Sequence, residues 1–320
     1  PLFYSSVERS AMMKVLLALE QTRISEGAIQ ILSKLTLPGG SDLFLLHVNP
    51  VPQKLTGLAK ERILKISQQV QEVQKQALEQ AREFLGKVEK RLKHQDVQVF
   101  PLVKKGFPGE EILKTIHAKN VDLVVLGSRG YSKAKGFLLG SVSQWVLQEA
   151  PCSVLIARPM AREKKAVRGM KLLLATDGSA DSRAAVEFIK NLTLPPSSQI
   201  TILHVVKKHV FETEQTLIAD SKKEDEFVKL AEELLAIRGR EGAKLLEQTR
   251  KILSAPDLQI QERLVFGNPG DEILKAVRYL RADLVVLGSR GSTGVKRVFL
   301  GSVSNKVAHS AGCSVAVIRH

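Results

Sequence analysis

Residues 122–130 read DLVVLGSRG, and residues 283–291 read DLVVLGSRG again, 161 positions later. The same spacing relates LGSVS at 139–143 to LGSVS at 300–304, and PGEEILK from Pro108 to PGDEILK from Pro269. Earlier in each half the spacing is 157: MKVLLA from Met13 answers MKLLLA from Met170, and Leu46-His47-Val48 answers Leu203-His204-Val205. Ordered matches at two fixed offsets mean that one unit has been duplicated head to tail, and whatever one half folds into, the other must also be able to form. The register changes in the middle of each half, which is read as a difference in helix length. Residues 1–160 and 170–320 are the two expected domains. Residues 161–169 are the expected linker: Arg158-Pro159 ends an apolar run, and the polar, basic stretch from Ala161 to Arg168 suits an exposed connection.

Half of 320 residues is enough for a hydrophobic core without metal or disulfide support. The two cysteines, Cys152 and Cys313, are repeat equivalents and read as one small buried residue inherited twice. No apolar run reaches the length that spans a bilayer, and residues 1–10 carry no basic segment followed by an apolar one. A cytoplasmic location is the expectation. The net charge of +15 is dispersed along helices and the linker, with no aromatic-interleaved basic stripe and no zinc-finger spacing. It reads as solvated surface, and no specific nucleic-acid partner is expected.

Each half holds five short runs rich in Val, Ile and Leu: 15–19, 43–48, 97–103, 123–126 and 154–157, then 172–175, 200–206, 260–266, 284–287 and 315–318. Such runs are the mark of parallel strands buried on both faces. Helical periodicity fills the intervals, at 25–35, 68–93, 108–118 and 141–148, then 182–192, 224–253, 269–281 and 302–310. Alternating strands and helices form right-handed crossovers, so each half is an α/β, open, doubly wound, five-stranded parallel sheet. Ligands of such sheets bind beyond the carboxyl ends of the strands.

Both fourth strands run into one pattern, G-x2-G-x9-G-S: Gly127, Gly130, Gly140 and Ser141, then Gly288, Gly291, Gly301 and Ser302. Glycines let a phosphate approach backbone amides, and the Gly-Ser pair opens a helix whose free amides and dipole favour an anion. Arg290, Lys296 and Arg297 add positive charge in the second loop, as do Arg129, Lys133 and Lys135 in the first. The bland reading is a glycine-rich turn that only caps a helix. The loop is neither a P-loop nor the dinucleotide fingerprint. The first strand of the second repeat ends Ala175-Thr176-Asp177-Gly178-Ser179, whose acid either accepts from a nucleoside or caps the next helix. The first repeat has Glu20 there.

On these residues the chain resembles the universal stress protein family in its tandem, two-domain form. The resemblance rests on Asp177, His47-Val48 and His204-Val205, Gly106-x-Pro108 and Gly267-x-Pro269, and both glycine loops. The last motif resembles the signature of the family's ATP-binding branch. The resemblance implies an adenine nucleotide alpha hydrolase-like fold and bound ATP or another adenine nucleotide, with or without Mg2+. It implies Ala175, Thr176 and Asp177 near adenine or ribose, and Val205 presenting its backbone to the base. It implies Gly288, Arg290, Gly291, Gly301, Ser302, Val303 and Ser304 around the phosphates. The matching first-repeat positions are Glu20, Val48, Gly127, Gly130, Gly140, Ser141, Val142 and Ser143. Because Glu20 replaces Asp and Lys133 replaces the glycine seen at Gly294, the second repeat is expected to bind more securely. The resemblance also implies pairing of 154–157 with 315–318 into a pseudo-dimer, and a homodimer of the tandem chain as a partner state.

His47 and His204 read as structural, Trp145 as part of an apolar helix face, and no metal site is expected. With no nucleophile, general base or metal carboxylate evident at the loops, the chain reads as a stress-related nucleotide-binding regulator. A slow ATPase and a nucleotide-free scaffold are the alternatives.

Overall fold

The computed structural model describes residues 12–20, 23–50, 60–92, 96–128, 139–159, 169–207, 221–291 and 300–320. In the first repeat the apolar runs form β1 (Lys14–Leu19), β2 (Ser41–Pro50), β3 (Val97–Gly106), β4 (Leu123–Gly127) and β5 (Ser153–Ala157). Between them lie α1 (Arg23–Lys34), α2 (Lys60–Leu92), α3 (Pro108–Lys119) and α4 (Ser141–Glu149). The second repeat gives β6 (Lys171–Ala175), β7 (Gln199–Val206), β8 (Gln259–Phe266), β9 (Leu284–Gly288) and β10 (Ser314–Ile318). Its helices are α5 (Ala180–Lys190), α6 (Ser221–Leu253), α7 (Pro269–Leu280) and α8 (Ser302–Ser310).

The ten strands form one sheet in the order β3-β2-β1-β4-β5-β10-β9-β6-β7-β8. Pairing is parallel within each repeat and antiparallel only at the seam, where Val315 faces Ile156 and Val317 faces Val154. Each chain half builds outward from its first strand and then returns to add β4 or β9 on the other side. That reversal opens a crevice at the carboxyl ends of β1 and β4, and of β6 and β9. Central strands are apolar on both faces because helices cover both: Leu17 and Leu155 feed one core, Leu16 and Val154 the other. Both cores run through the two repeats without a break at the seam.

Two equivalent arginines fasten the seam. Arg158 is buried, and its guanidinium donates to the carbonyls of Cys313 at 3.0 Å and Ala308 at 2.8 Å. Arg319 reciprocates, donating to Cys152 O at 2.8 Å and Leu147 O at 2.7 Å. Each cation thus meets the carbonyl-rich, negative end of the other repeat's last helix. Thr36 and Thr193, also equivalents, exchange backbone hydrogen bonds at 3.1 Å in both directions.

One expectation needs correction. The helices following second strands do not differ in length: α2 and α6 are each 33 residues. The four extra positions therefore lie between β7 and α6, where a connection lengthens at little entropic cost. Arg158, which closes the last apolar run of the first repeat, is buried with backbone carbonyls satisfying its charge. Residues 160–168 lie outside the described residues. Cys152 and Cys313 are buried free thiols, and burial pushes them up to about 11 and about 12 respectively.

Candidate functional site

In the first repeat the sheet's reversal leaves a cavity of about 450 Å3, within the range of small-molecule sites. Glu20, Val48, Gly127, Gly140, Ser141, Val142 and Ser143 all line it. Gly130 and the loop cations Arg129, Lys133 and Lys135 lie outside the described residues. The wall is completed by Asn49 and Pro50 from the end of β2, by Ala77 and Gln80 of α2, and by Pro108 and Ile112 of α3. Of these only Pro108, in the Gly106-x-Pro108 motif, was singled out from the sequence, since only the fold brings α2 and α3 over the strand ends.

Strand order lays out the chemistry of the cavity. At one end stands α4, whose first amides precede the first intrahelical bond, made by Gln144 N to Gly140 O at 2.8 Å. The Ser143 hydroxyl turns inward and donates to Gly127 O at 2.7 Å, pinning the helix start to the strand end. In the middle stands Glu20, just past β1. Burial pushes its carboxyl above the usual carboxylate range, and its Oε2 is buried with no hydrogen-bond partner among the described residues. At the far end stand Val48 and Asn49 of β2, and the Asn49 Nδ2 is likewise buried and unpartnered among the described residues. His47 holds this end together, its Nδ1 within 2.9 Å of Leu19 O.

The second repeat brings its residues to the equivalent place but pairs them with each other. Ala175 and Thr176 are buried at the end of β6. Asp177 is exposed, and its Oδ1 accepts from Ser179 N at 3.0 Å. Gly178 takes φ +76°, the left-handed turn that glycine allows before α5. Asp177 also reaches the glycine loop: a Cβ on Gly291 would sit 2.8 Å from its Oδ2. Val205 is half-buried at the end of β7, while Ser302, Val303 and Ser304 form the first turn of α8 behind Gly301. The Ser304 hydroxyl donates to Gly288 O at 2.7 Å. His204 repeats the role of His47, with Nδ1 2.8 Å from Thr176 O. Gly294, Lys296 and Arg297 lie outside the described residues.

Asp181, on the first turn of α5, was not anticipated. It is buried, and it accepts from the Ser289 hydroxyl at 2.5 Å, Arg290 N at 3.1 Å and Arg290 Nε at 3.2 Å. It also accepts from His320 N at 3.3 Å. Burial opposes its charge, but the hydrogen bonds from Arg290 and Ser289 outweigh burial and hold the carboxyl below its ordinary range. Arg290 is therefore engaged within the protein. Gly288 has a packing reason of its own, since a Cβ there would lie 2.7 Å from Ser182 N. The first repeat has Ile24 where the second has Asp181, a difference that only a residue-by-residue alignment of the helix starts would have flagged.

The model of the "Universal stress protein family" matches this chain twice, over residues 12–158 and 170–319. One repeat is 32% identical over 149 residues to universal stress protein YxiE of Bacillus subtilis, covering 47% of this chain and 98% of that protein. Universal stress protein MJ0531 of Methanocaldococcus jannaschii is 30% identical over 149 residues, covering 47% of this chain and 81% of that protein. Among solved structures, a universal stress protein from Archaeoglobus fulgidus superposes with a TM-score of 0.57 at 22% identity, covering 96% of both chains. The chain belongs to the universal stress protein family and carries two tandem copies of its domain.

Proposed function

We propose that this protein binds an adenine nucleotide, with the cavity of the first repeat as its preformed site, and that it acts as a binder and regulator. The supporting observation is the order of groups across that one cavity: helix-start amides, then a carboxylate, then the end of β2. A nucleotide has the same order. Its phosphates suit the amides of Ser141, Val142 and Ser143, where the helix dipole favours an anion. Its ribose hydroxyls suit the acceptor Glu20, and its base suits the apolar wall of Val48 and Ile112. The motif shared with the family's ATP-binding branch supports the same assignment.

The second repeat is a second site in this reading, formed by Asp177, Val205 and the first turn of α8. It is the weaker one, because Asp181 competes with an incoming phosphate for Arg290. A cytoplasmic protein, able to pair with a second copy of itself, fits this role.

Equilibrium dialysis of the full chain against ATP, ADP and cyclic AMP, with and without Mg2+, tests the reading. Saturable binding of at least one adenine nucleotide per chain is the expected result. Chromatography of the same samples separates a binder from an ATPase, because turnover would convert ATP to ADP over the incubation. Absence of binding with every nucleotide would leave only a scaffold.

A further inference from the structure

Glu20 Oε2 and Asn49 Nδ2 are buried and unpartnered among the described residues, and both residues line one cavity. A buried polar atom without a partner costs free energy, so native proteins rarely keep one that nothing uses. Here there are two of opposite kind: an acceptor and a donor. An occupant that satisfies both must present a donor to the middle of the cavity and an acceptor near the end of β2. The second repeat does not make this demand. Its counterpart of Asn49 is Val206, buried hydrocarbon, and its counterpart of Glu20 is the exposed Asp177.

The strands fix which part of a ligand meets which atom. The sheet runs β2-β1-β4, so Glu20 lies between Asn49 and the α4 amides. With phosphate at α4, the sugar falls at Glu20 and the base at Asn49. We propose that Asn49 is a specificity-determining residue of the first-repeat site, its amide donating to an acceptor atom of the bound base, and that the two repeats therefore differ in how strongly they read the base. This rests on the nucleotide reading above and deepens it. The second repeat, with Val206, offers no side-chain donor at that position.

The protein carries a built-in reporter of first-repeat occupancy. Its single tryptophan, Trp145, lies on α4, the helix that begins at Ser141. The indole packs on Gly109, where a Cβ would lie 2.3 Å from its Cε3, and the adjacent Pro108 lines the cavity. The test titrates the full chain with ATP and with the abasic ribose 5-triphosphate, following Trp145 fluorescence, in wild type and in Asn49→Val. The variant is expected to lose about tenfold in ATP affinity, as for one net hydrogen bond, with ribose triphosphate affinity unchanged. Its unliganded form should melt at a higher temperature than wild type, because a buried unpaired amide has been replaced by hydrocarbon. That melt also establishes that the variant folds.

Equal ATP affinity in wild type and variant, or an equal loss for both ligands, would overturn the base-reading role while leaving nucleotide binding intact. Failure of wild type to bind either ligand, by fluorescence and by calorimetry, would overturn the nucleotide reading itself.

Discussion

The two repeats share a strand-four loop letter for letter over nine residues, yet they treat its surroundings differently. In the second repeat Asp181 ties down Ser289 and Arg290, and Asp177 serves the turn into α5. In the first repeat Ile24 replaces Asp181, and Glu20 Oε2 and Asn49 Nδ2, buried atoms of two cavity-lining residues, have no partner among the described residues. The lesson is about competition. A glycine loop offers amides in both halves, but a ligand gains only from groups that the protein has not already paired. By that measure the first repeat, whose Glu20 departs from the expected aspartate, is the better prepared of the two.

The largest effects should come from a feature in which the repeats are alike, the arginine at the seam. Arg158→Ala and Arg319→Ala each strand buried carbonyls at the seam, and each should cost about 3 kcal/mol in urea unfolding. Similar losses for the two variants would show that the seam is symmetric. A loss confined to one would break the equivalence of the repeats there.

Asp181→Asn should cost about 2 kcal/mol, since it weakens charge-assisted bonds to Ser289 and Arg290. The carboxyl titrates lower in the folded protein than in the unfolded chain. Its contribution is therefore complete above the ordinary value of 3.8 and lost as pH falls through the folded value. Stability curves of wild type and variant should thus converge in acid, which a series of melts at falling pH would reveal. The Trp145 fluorescence response to nucleotide should be the same in Asp181→Asn as in wild type, because the Asp181–Arg290 pair belongs to the second repeat.

Glu20→Gln should have a smaller effect, with the opposite sign. Burial raises the Glu20 carboxyl, so the unliganded fold holds its proton more tightly than the unfolded chain does. Stability then falls as pH rises from the ordinary value of 4.5 through the folded value. The variant should melt above wild type at pH 7 and alongside it at pH 3.5. It should also bind ATP several-fold more weakly, since a neutral amide accepts from ribose hydroxyls less strongly than a carboxylate. A variant no more stable than wild type at pH 7 would mean that Glu20 is not an unsatisfied group.

Much of the architecture could be read in advance because it depends on local pattern. Runs such as LVVLG read as buried strands, and their alternation with amphipathic segments gives the parallel sheet, whereas the pairing of the last strands came from the family resemblance alone. What could not be read depends on contacts far apart in sequence. In sequence Arg158 is one more cation beside the repeat boundary, and its place in the seam appears only when Ala308 and Cys313 supply carbonyls from the other repeat. Asp181 and Arg290 are 109 positions apart, and the pair exists in one repeat only. Asn49 resembles any polar residue ending a strand, and its importance comes from the walls that α2 and α3 place around it. The glycine loops marked where a site would be. They did not show that the second repeat pairs Arg290 and Ser289 with Asp181 while the first has Ile24 in that place.

The most direct test of that difference is a crystal of the full chain grown or soaked with ATP. The account expects triphosphate density on the first turn of α4, ribose against Glu20 and adenine beside Asn49, with the second repeat filled less or not at all. Nucleotide bound at α8 while the first cavity stays free, or that cavity closed by side chains, would contradict it.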